Sequence, residues 1–307
     1  MRTGCLLLAG LTVALLVASP ARPLGPPPRP LLDRNGDPLP FGAVARFGST
    51  LQPERQIQHG AAFSPDSRLF ATLERGNEGQ TVRLWRVKDG RLQGRFFLRG
   101  EADGPPGPVF APDGRTLFVS GSNSREVLQV DVGTGKVLRR FKARKRISCF
   151  AVAPDGKTIA VGCEHSPRGG NSIYRWEVAT GKSLGEVGQH TAPVETLAFS
   201  PDGKRLLSFS AVPRGTPTMP RPEDVPEEVA VWDVASGKRL KKLSPKGDHV
   251  RFSPAGDVFL IGSFPDRLEL WDLETGKRRA TLPGVSDPLY MPGGKTLDLL
   301  HENGRGE

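Results

Sequence analysis

At 307 residues, with 37% hydrophobic and 25% charged residues, the chain has ordinary globular proportions, which exclude a disordered polymer and leave one large domain or two smaller ones. Its 37 glycines and 29 prolines indicate many turns between short strands, so an all-β fold is expected. A formal charge of +10 excludes a neutral surface and directs attention to anionic partners.

Residues 1–21 read as a secretory signal peptide: Arg2 precedes an apolar run from Leu6 to Ala18, and Ser19, Pro20 and Ala21 offer small residues for cleavage. The run is shorter than the roughly 20 apolar residues of a helical span. No stable transmembrane span is therefore expected after cleavage, and an uncleaved N-terminal membrane anchor is the alternative. Cys5 lies before the run, the wrong side for a lipid-carrying cysteine. Export to the periplasm, the cell envelope or the medium follows, with a mature charge of +9 once Arg2 is removed. Nucleic acid then recedes as a partner, and anionic envelope polymers or lipid head groups replace it. Residues 22–40 form a Pro-rich linker, with Pro26, Pro27, Pro28 and Pro30 favouring an extended, solvated chain. "DRNGD" from Asp33 has the outline of a calcium loop, but its glycine is misplaced and Val44 stands where the closing glutamate belongs, so it is read as a turn.

From residue 41 to 307 the sequence repeats. "FSPDSR" at Phe63, "FAPDGR" at Phe110, "VAPDGK" at Val152, "FSPDGK" at Phe199, "FSPAGD" at Phe252 and "YMPGGK" at Tyr290 place prolines 47, 42, 47, 53 and 38 residues apart. A period of this size with strand-like segments marks propeller blades. Each anchor is a turn, in which proline presets φ, aspartate bonds the backbone ahead and glycine accepts a positive φ. A second turn follows, its glycine always five residues after Trp85, Val130, Trp176, Trp232 and Trp271. The unit is four antiparallel strands, the third carrying the Trp and buried on both faces by neighbouring blades. Val130 makes the second blade the most weakly packed by this criterion. Five complete blades and an incomplete sixth are expected, because a sixth Trp position falls beyond Glu307. Ala43 to Phe47 is the candidate strand for closing that blade; an open arc is the alternative.

The pairs Trp232-Asp233 and Trp271-Asp272, the "FSPDGK" turn and the "GQH" at Gly188 to His190 resemble WD40 repeats. "LPFGAVARFG" from Leu39 is similar to the opening of bacterial exported members of that family. The resemblance implies a buried hydrogen-bond network of His, Ser or Thr, Asp and Trp within a blade. Only the fourth blade offers His190, Ser208 and Trp232, and an insertion obscures its Asp position.

Catalytic patterns fail in turn. "TGKS" from Thr180 lacks the first glycine of a phosphate loop, since Trp176 stands there, and it occupies a strand-turn-strand context. The five histidines, at 59, 165, 190, 249 and 301, show no metal-ligand spacing, and no haem-attachment motif occurs. No cofactor, metal or catalytic residue is assigned. Cys149 and Cys163 flank one turn and lie nearly opposite in a hairpin, which leaves a disulfide open although opposite strand positions suit it poorly.

Topology offers a better lead. In up-and-down blades all the Pro-Asp-Gly and Gly-Lys turns share one end, and the irregular loops share the other. Two segments distinguish the loop end. "RRFKARKR" holds Arg139, Arg140, Lys142, Arg144, Lys145 and Arg146 and runs from the outer strand of the second blade into the third. Its alternative reading is a solvated edge protected from strand pairing. "AVPRGTPTMPRPEDVPEE" from Ala211, with Arg214, Met219 and Arg221, is a Pro-rich insertion in the fourth blade, either a docking loop or a plain surface loop. The sequence thus points to an exported, non-enzymatic scaffold that binds a protein or anionic polymer through its loop end. The rivals are a partial propeller with little function of its own and a ligand-binding or enzymatic propeller.

Overall fold

A computed structural model describes residues 60–299 apart from 77, 100–106, 122–123, 164–170, 212–226, 245–246, 248, 254, 264–266, 284–287, 291–296. The signal peptide, the linker and the candidate closing strand Ala43 to Phe47 lie outside the described residues. Among the described residues no helix is long and apolar enough to cross a membrane.

The described residues fold into five four-stranded antiparallel sheets, each built from consecutive strands, followed by a two-stranded one. The first sheet holds β1 (Ala61–Phe63), β2 (Leu69–Gly76), β3 (Gly79–Arg86) and β4 (Leu92–Arg99); the second holds β5 (Val109–Phe110), β6 (Thr116–Ser120), β7 (Glu126–Asp131) and β8 (Val137–Lys142). β9 (Ile147–Val152), β10 (Thr158–Cys163), β11 (Asn171–Glu177) and β12 (Ser183–His190) make the third, and β13 (Val194–Phe199), β14 (Arg205–Ser210), β15 (Glu228–Asp233) and β16 (Arg239–Leu243) the fourth. The fifth comprises β17 (His249–Phe252), β18 (Val258–Ser263), β19 (Arg267–Asp272) and β20 (Arg278–Pro283), and β21 (Pro288–Tyr290) pairs with β22 (Leu297–Leu299). This is a β-propeller of five four-stranded blades, with two strands of a sixth among the described residues.

Local chemistry fixes both turn classes. In the fourth blade Asp202 Oδ1 accepts from Ser200 Oγ at 2.6 Å and Lys204 N at 3.0 Å, and Gly203 N donates to Ser200 O at 2.8 Å with φ +71°. The second turn is closed by Asp233, whose Oδ1 accepts from Ser236 N at 2.8 Å and Ser236 Oγ at 2.7 Å. Blade one departs from the rule, because Ser67 occupies the glycine position with φ +56°. The first turns also nest against one another: a Cβ on Gly256 would lie 3.0 Å from Pro201 Cδ of the preceding blade.

The hydrophobic core lies between the blades. Leu73, Val82, Leu84, Leu117 and Val130 pack where blades one and two meet, and Phe118, Phe141, Ile159 and Trp176 where two and three meet. Ile173, Val194, Leu206 and Trp232 fill the next junction, and Phe209, Val231, Phe259 and Ile261 the one after it. β15 is buried along all but its last residue, as a strand covered on both faces must be. Val130 does not leave its blade weakly packed: it is fully buried, and the fully buried Phe118 and Phe141 of the same sheet supply bulk elsewhere. Cys149 and Cys163 form no disulfide. A register shift at Gly162/Cys163 accompanies their placement on opposite faces, Cys149 toward blade four and Cys163 toward blade two.

Candidate functional site

Alternation along β8 splits the basic run into two roles. Phe141 is fully buried and anchors the strand. Arg140 Nη1 donates to Glu126 Oε1 at 2.8 Å, and the Arg139 stem lies 3.2 Å from where a Cβ on Gly181 would sit, packed over the next blade's turn. Lys142 and Arg144 are exposed and make no ion pair with a described residue. Lys145 is half-buried and Arg146 exposed in the connection into β9.

A cation missed by the sequence joins them. Ala143 N donates to Arg125 O at 2.8 Å, which brings the exposed Arg125, in the connection before β7, beside Lys142 and Arg144. Only the pairing of β7 with β8 reveals this; in sequence Arg125 is 17 residues upstream of Lys142. Charge is balanced differently at the tight-turn end. There each cation accompanies a turn carboxylate, as in Asp131 with Lys136, Asp155 with Lys157, Asp202 with Lys204 and Asp233 with Lys238. At the loop end of blade two, by contrast, Arg125, Lys142 and Arg144 come together with no ion pair to a described residue.

The insertion of blade four, with Arg214, Met219 and Arg221, lies outside the described residues. Its base is described and firmly held. Ala211 N donates to Pro193 O at 3.2 Å on one side, and Gly247 N donates to Glu227 Oε2 at 2.6 Å on the other. Glu228 follows, its side chain 3% exposed, and holds three partners: Arg239 Nη1 at 3.2 Å, Lys242 Nζ at 2.9 Å and His190 Nδ1 at 3.3 Å.

The structure brings His190, Ser208 and Trp232 together. Trp232 Nε1 donates to Ser208 Oγ at 2.7 Å, and Ser208 Oγ lies 2.7 Å from His190 Nε2. The Glu228 carboxylate, 3.3 Å from Nδ1, is an acceptor, so Nδ1 is the protonated nitrogen and Nε2 accepts from Ser208 Oγ. Nδ1 also lies 3.0 Å from Ser210 Oγ. Burial lowers the His190 pKa to about 4 against the pull of Glu228, so the ring is neutral near pH 7. Glu228 fills the acidic position that the insertion hid. The other Trp positions differ: Trp85 Nε1 finds Thr72 Oγ1 at 2.9 Å, whereas Trp271 Nε1 donates to Glu269 Oε2 at 2.9 Å in its own strand. Strand pairing explains this, since Ile261 of blade five stands where Ser208 stands in blade four.

Nothing in these groups forms a nucleophile and base open to solvent; the network is buried within blade four and the adjoining strand of blade three. Among the described residues no three His, Cys, Asp or Glu side chains are grouped to hold a metal ion.

Comparison with known proteins agrees with the geometry. The family described as WD domain, G-beta repeat matches residues 181–211, the segment holding His190 and Ser208. The Periodic tryptophan protein 2 homolog of Dictyostelium discoideum is 24% identical over 252 residues, covering 80% of this chain and 25% of that protein. An uncharacterised WD repeat-containing protein of Synechocystis is 28% identical over 158 residues, 50% of this chain and 39% of its own length. This chain spans at most a quarter of the first curated relatives it matches. Among solved structures, Kuenenia stuttgartiensis hydrazine synthase superposes with a TM-score of 0.63 at 18% identity, over 81% of this chain and 75% of that one; at this identity the likeness concerns the fold.

Proposed function

We propose, from the premise that the chain belongs to the WD40-repeat β-propeller family, that it is an exported, non-enzymatic scaffold whose loop end binds an anionic surface of a protein or envelope polymer. WD40 propellers generally serve as scaffolds for protein partners, and export rests on the Leu6 to Ala18 run. The observation that carries the binding surface is the group Arg125, Lys142 and Arg144, exposed and without ion pairs to described residues, while the turn-end cations accompany carboxylates. Arg139 and Arg140 support the strand rather than contact the partner, and Lys145 and Arg146 extend the patch. Ala211 and Glu227, which flank the blade-four insertion, belong to the same end of the propeller, and Arg214, Met219 and Arg221 within the insertion are proposed as further contacts to the same partner.

The test is capture from an envelope extract by the mature chain, compared with a chain carrying Arg144→Ser, Lys145→Ser and Arg146→Ser. The expected outcome is loss of the captured partner with the melting temperature nearly unchanged, since surface substitutions rarely exceed about 0.5 kcal/mol. Equal capture by both chains rejects the assignment.

A further inference from the structure

The junctions between blades are repeats of one another, so a difference at one of them is informative. Between blades three and four, Arg175, the residue before Trp176 on β11, reaches across and Arg175 Nη1 donates to the carbonyl of Val234, two residues past Trp232. Its Nη2 lies 3.9 Å from where a Cβ on Gly237 would sit, so the guanidinium rests over the turn glycine. Between blades four and five no arginine does this; a Cβ on the turn glycine Gly276 would instead lie 3.4 Å from Leu243 Cδ2 and 3.5 Å from Lys241 Cδ. Val231 stands before Trp232 where blade three has Arg175, and a cavity of about 480 Å³ opens there, lined by Val231, Leu240, Lys241, Asp272, Leu273 and Glu274 among others. Leu273, two residues past Trp271, is the repeat equivalent of Val234.

We propose that this groove, at the tight-turn end between blades four and five, receives the arginine side chain of a partner polypeptide. The guest repeats the interaction that Arg175 makes one blade earlier: its methylenes lie along Val231 and the exposed Leu240, and its guanidinium bonds the Leu273 carbonyl and the Glu274 carboxylate. Of the three cations in the lining, Arg205 is engaged by Asp233 at 2.6 Å and Arg279 by Asp257 at 3.4 Å and by Asp272, while Lys241, its stem packed over Gly276, shares the groove with the guest. Glu274 is exposed and makes no ion pair with a described residue, so it is free to compensate the incoming charge. Arginine is favoured over lysine because a planar fork of donors serves a carbonyl and a carboxylate together. The cavity lies within the usual size range of ligand sites. This groove is separate from the basic patch, which opens at the other end of the sheets.

The experiment titrates the full chain with two blocked tripeptides, Gly-Arg-Gly and Gly-citrulline-Gly, and follows backbone amide shifts. Citrulline keeps the shape of arginine and removes its charge. The arginine peptide is expected to give saturable shifts at Lys241, Leu273 and Glu274, with citrulline binding at least tenfold more weakly. Val231→Arg supplies the guanidinium from within and abolishes the shifts. Glu274→Lys, on the surface, does the same by repulsion and decides the matter if Val231→Arg fails to fold. Arg144→Ser with Lys145→Ser and Arg146→Ser leaves the titration unchanged, so this site and the loop-end patch stand or fall separately. Absence of saturable shifts, equal binding of citrulline, or binding retained by Glu274→Lys overturns the proposal.

Discussion

Ser67 is held at φ +56°, in the turn position that the corresponding turns of the next four blades give to glycine. A side chain in the left-handed region costs about 1 kcal/mol, partly offset by the entropy that glycine adds to the unfolded chain. Ser67→Gly is therefore expected to stabilise the domain by about 0.5 kcal/mol, read as a higher denaturation midpoint; a lower midpoint contradicts the turn assignment. His190 makes a larger prediction. Its pKa falls from 6.5 to about 4 on folding, so between these values the unfolded chain binds the extra proton. Stability contributed by the neutral ring is full above pH 6.5 and lost as pH falls toward 4. Between pH 7 and 4.5 the loss from this one group is about 2 kcal/mol. Denaturant melts of the parent and His190→Gln at both pH values check it, with the variant expected to lose that share of the pH dependence.

At the scale of the strand, Trp232 and Gly188 form one packing unit across blades three and four. A Cβ on Gly188 would lie 2.3 Å from the Trp232 ring, which is why glycine opens "GQH". Gly188→Ala forces the ring or the strand to shift and is expected to cost about 1 to 3 kcal/mol. Trp232→Ala, which leaves a cavity, is expected to cost about 3 to 5 kcal/mol, and an unchanged melting transition would remove Trp232 from the core. The strands and their turns were legible in the sequence because each depends on neighbours within six residues: Pro-Asp-Gly, and Trp followed at a fixed interval by Gly. Glu228 was not legible. Its role depends on lying opposite Ser210 across β14 and β15, and the insertion between those strands removes any fixed spacing. Arg125 was hidden likewise, because only the backbone bond to Ala143 places it in the patch. The groove between blades four and five was hidden for a different reason: Val231 reads as an ordinary strand valine until Arg175 is seen in the equivalent place.

For the whole molecule, we propose that charge acts through its placement, since a chain of net charge +10 would bind polyanions weakly wherever its cations lay. Exposed charges are screened over about 8 Å at physiological salt, so cations of the tight turns are offset by the carboxylates beside them, whereas Arg125, Lys142 and Arg144 reinforce one another. The most direct test is elution from a dextran sulfate column in a salt gradient. It compares the parent with two variants of equal net charge: Arg144→Ser, Lys145→Ser, Arg146→Ser at the loop end, and Lys136→Ser, Lys182→Ser, Lys238→Ser at the turn end. The account predicts that the loop-end variant elutes at clearly lower salt and that the turn-end variant stays near the parent. Equal displacement of both variants would contradict it, because retention would then follow net charge alone.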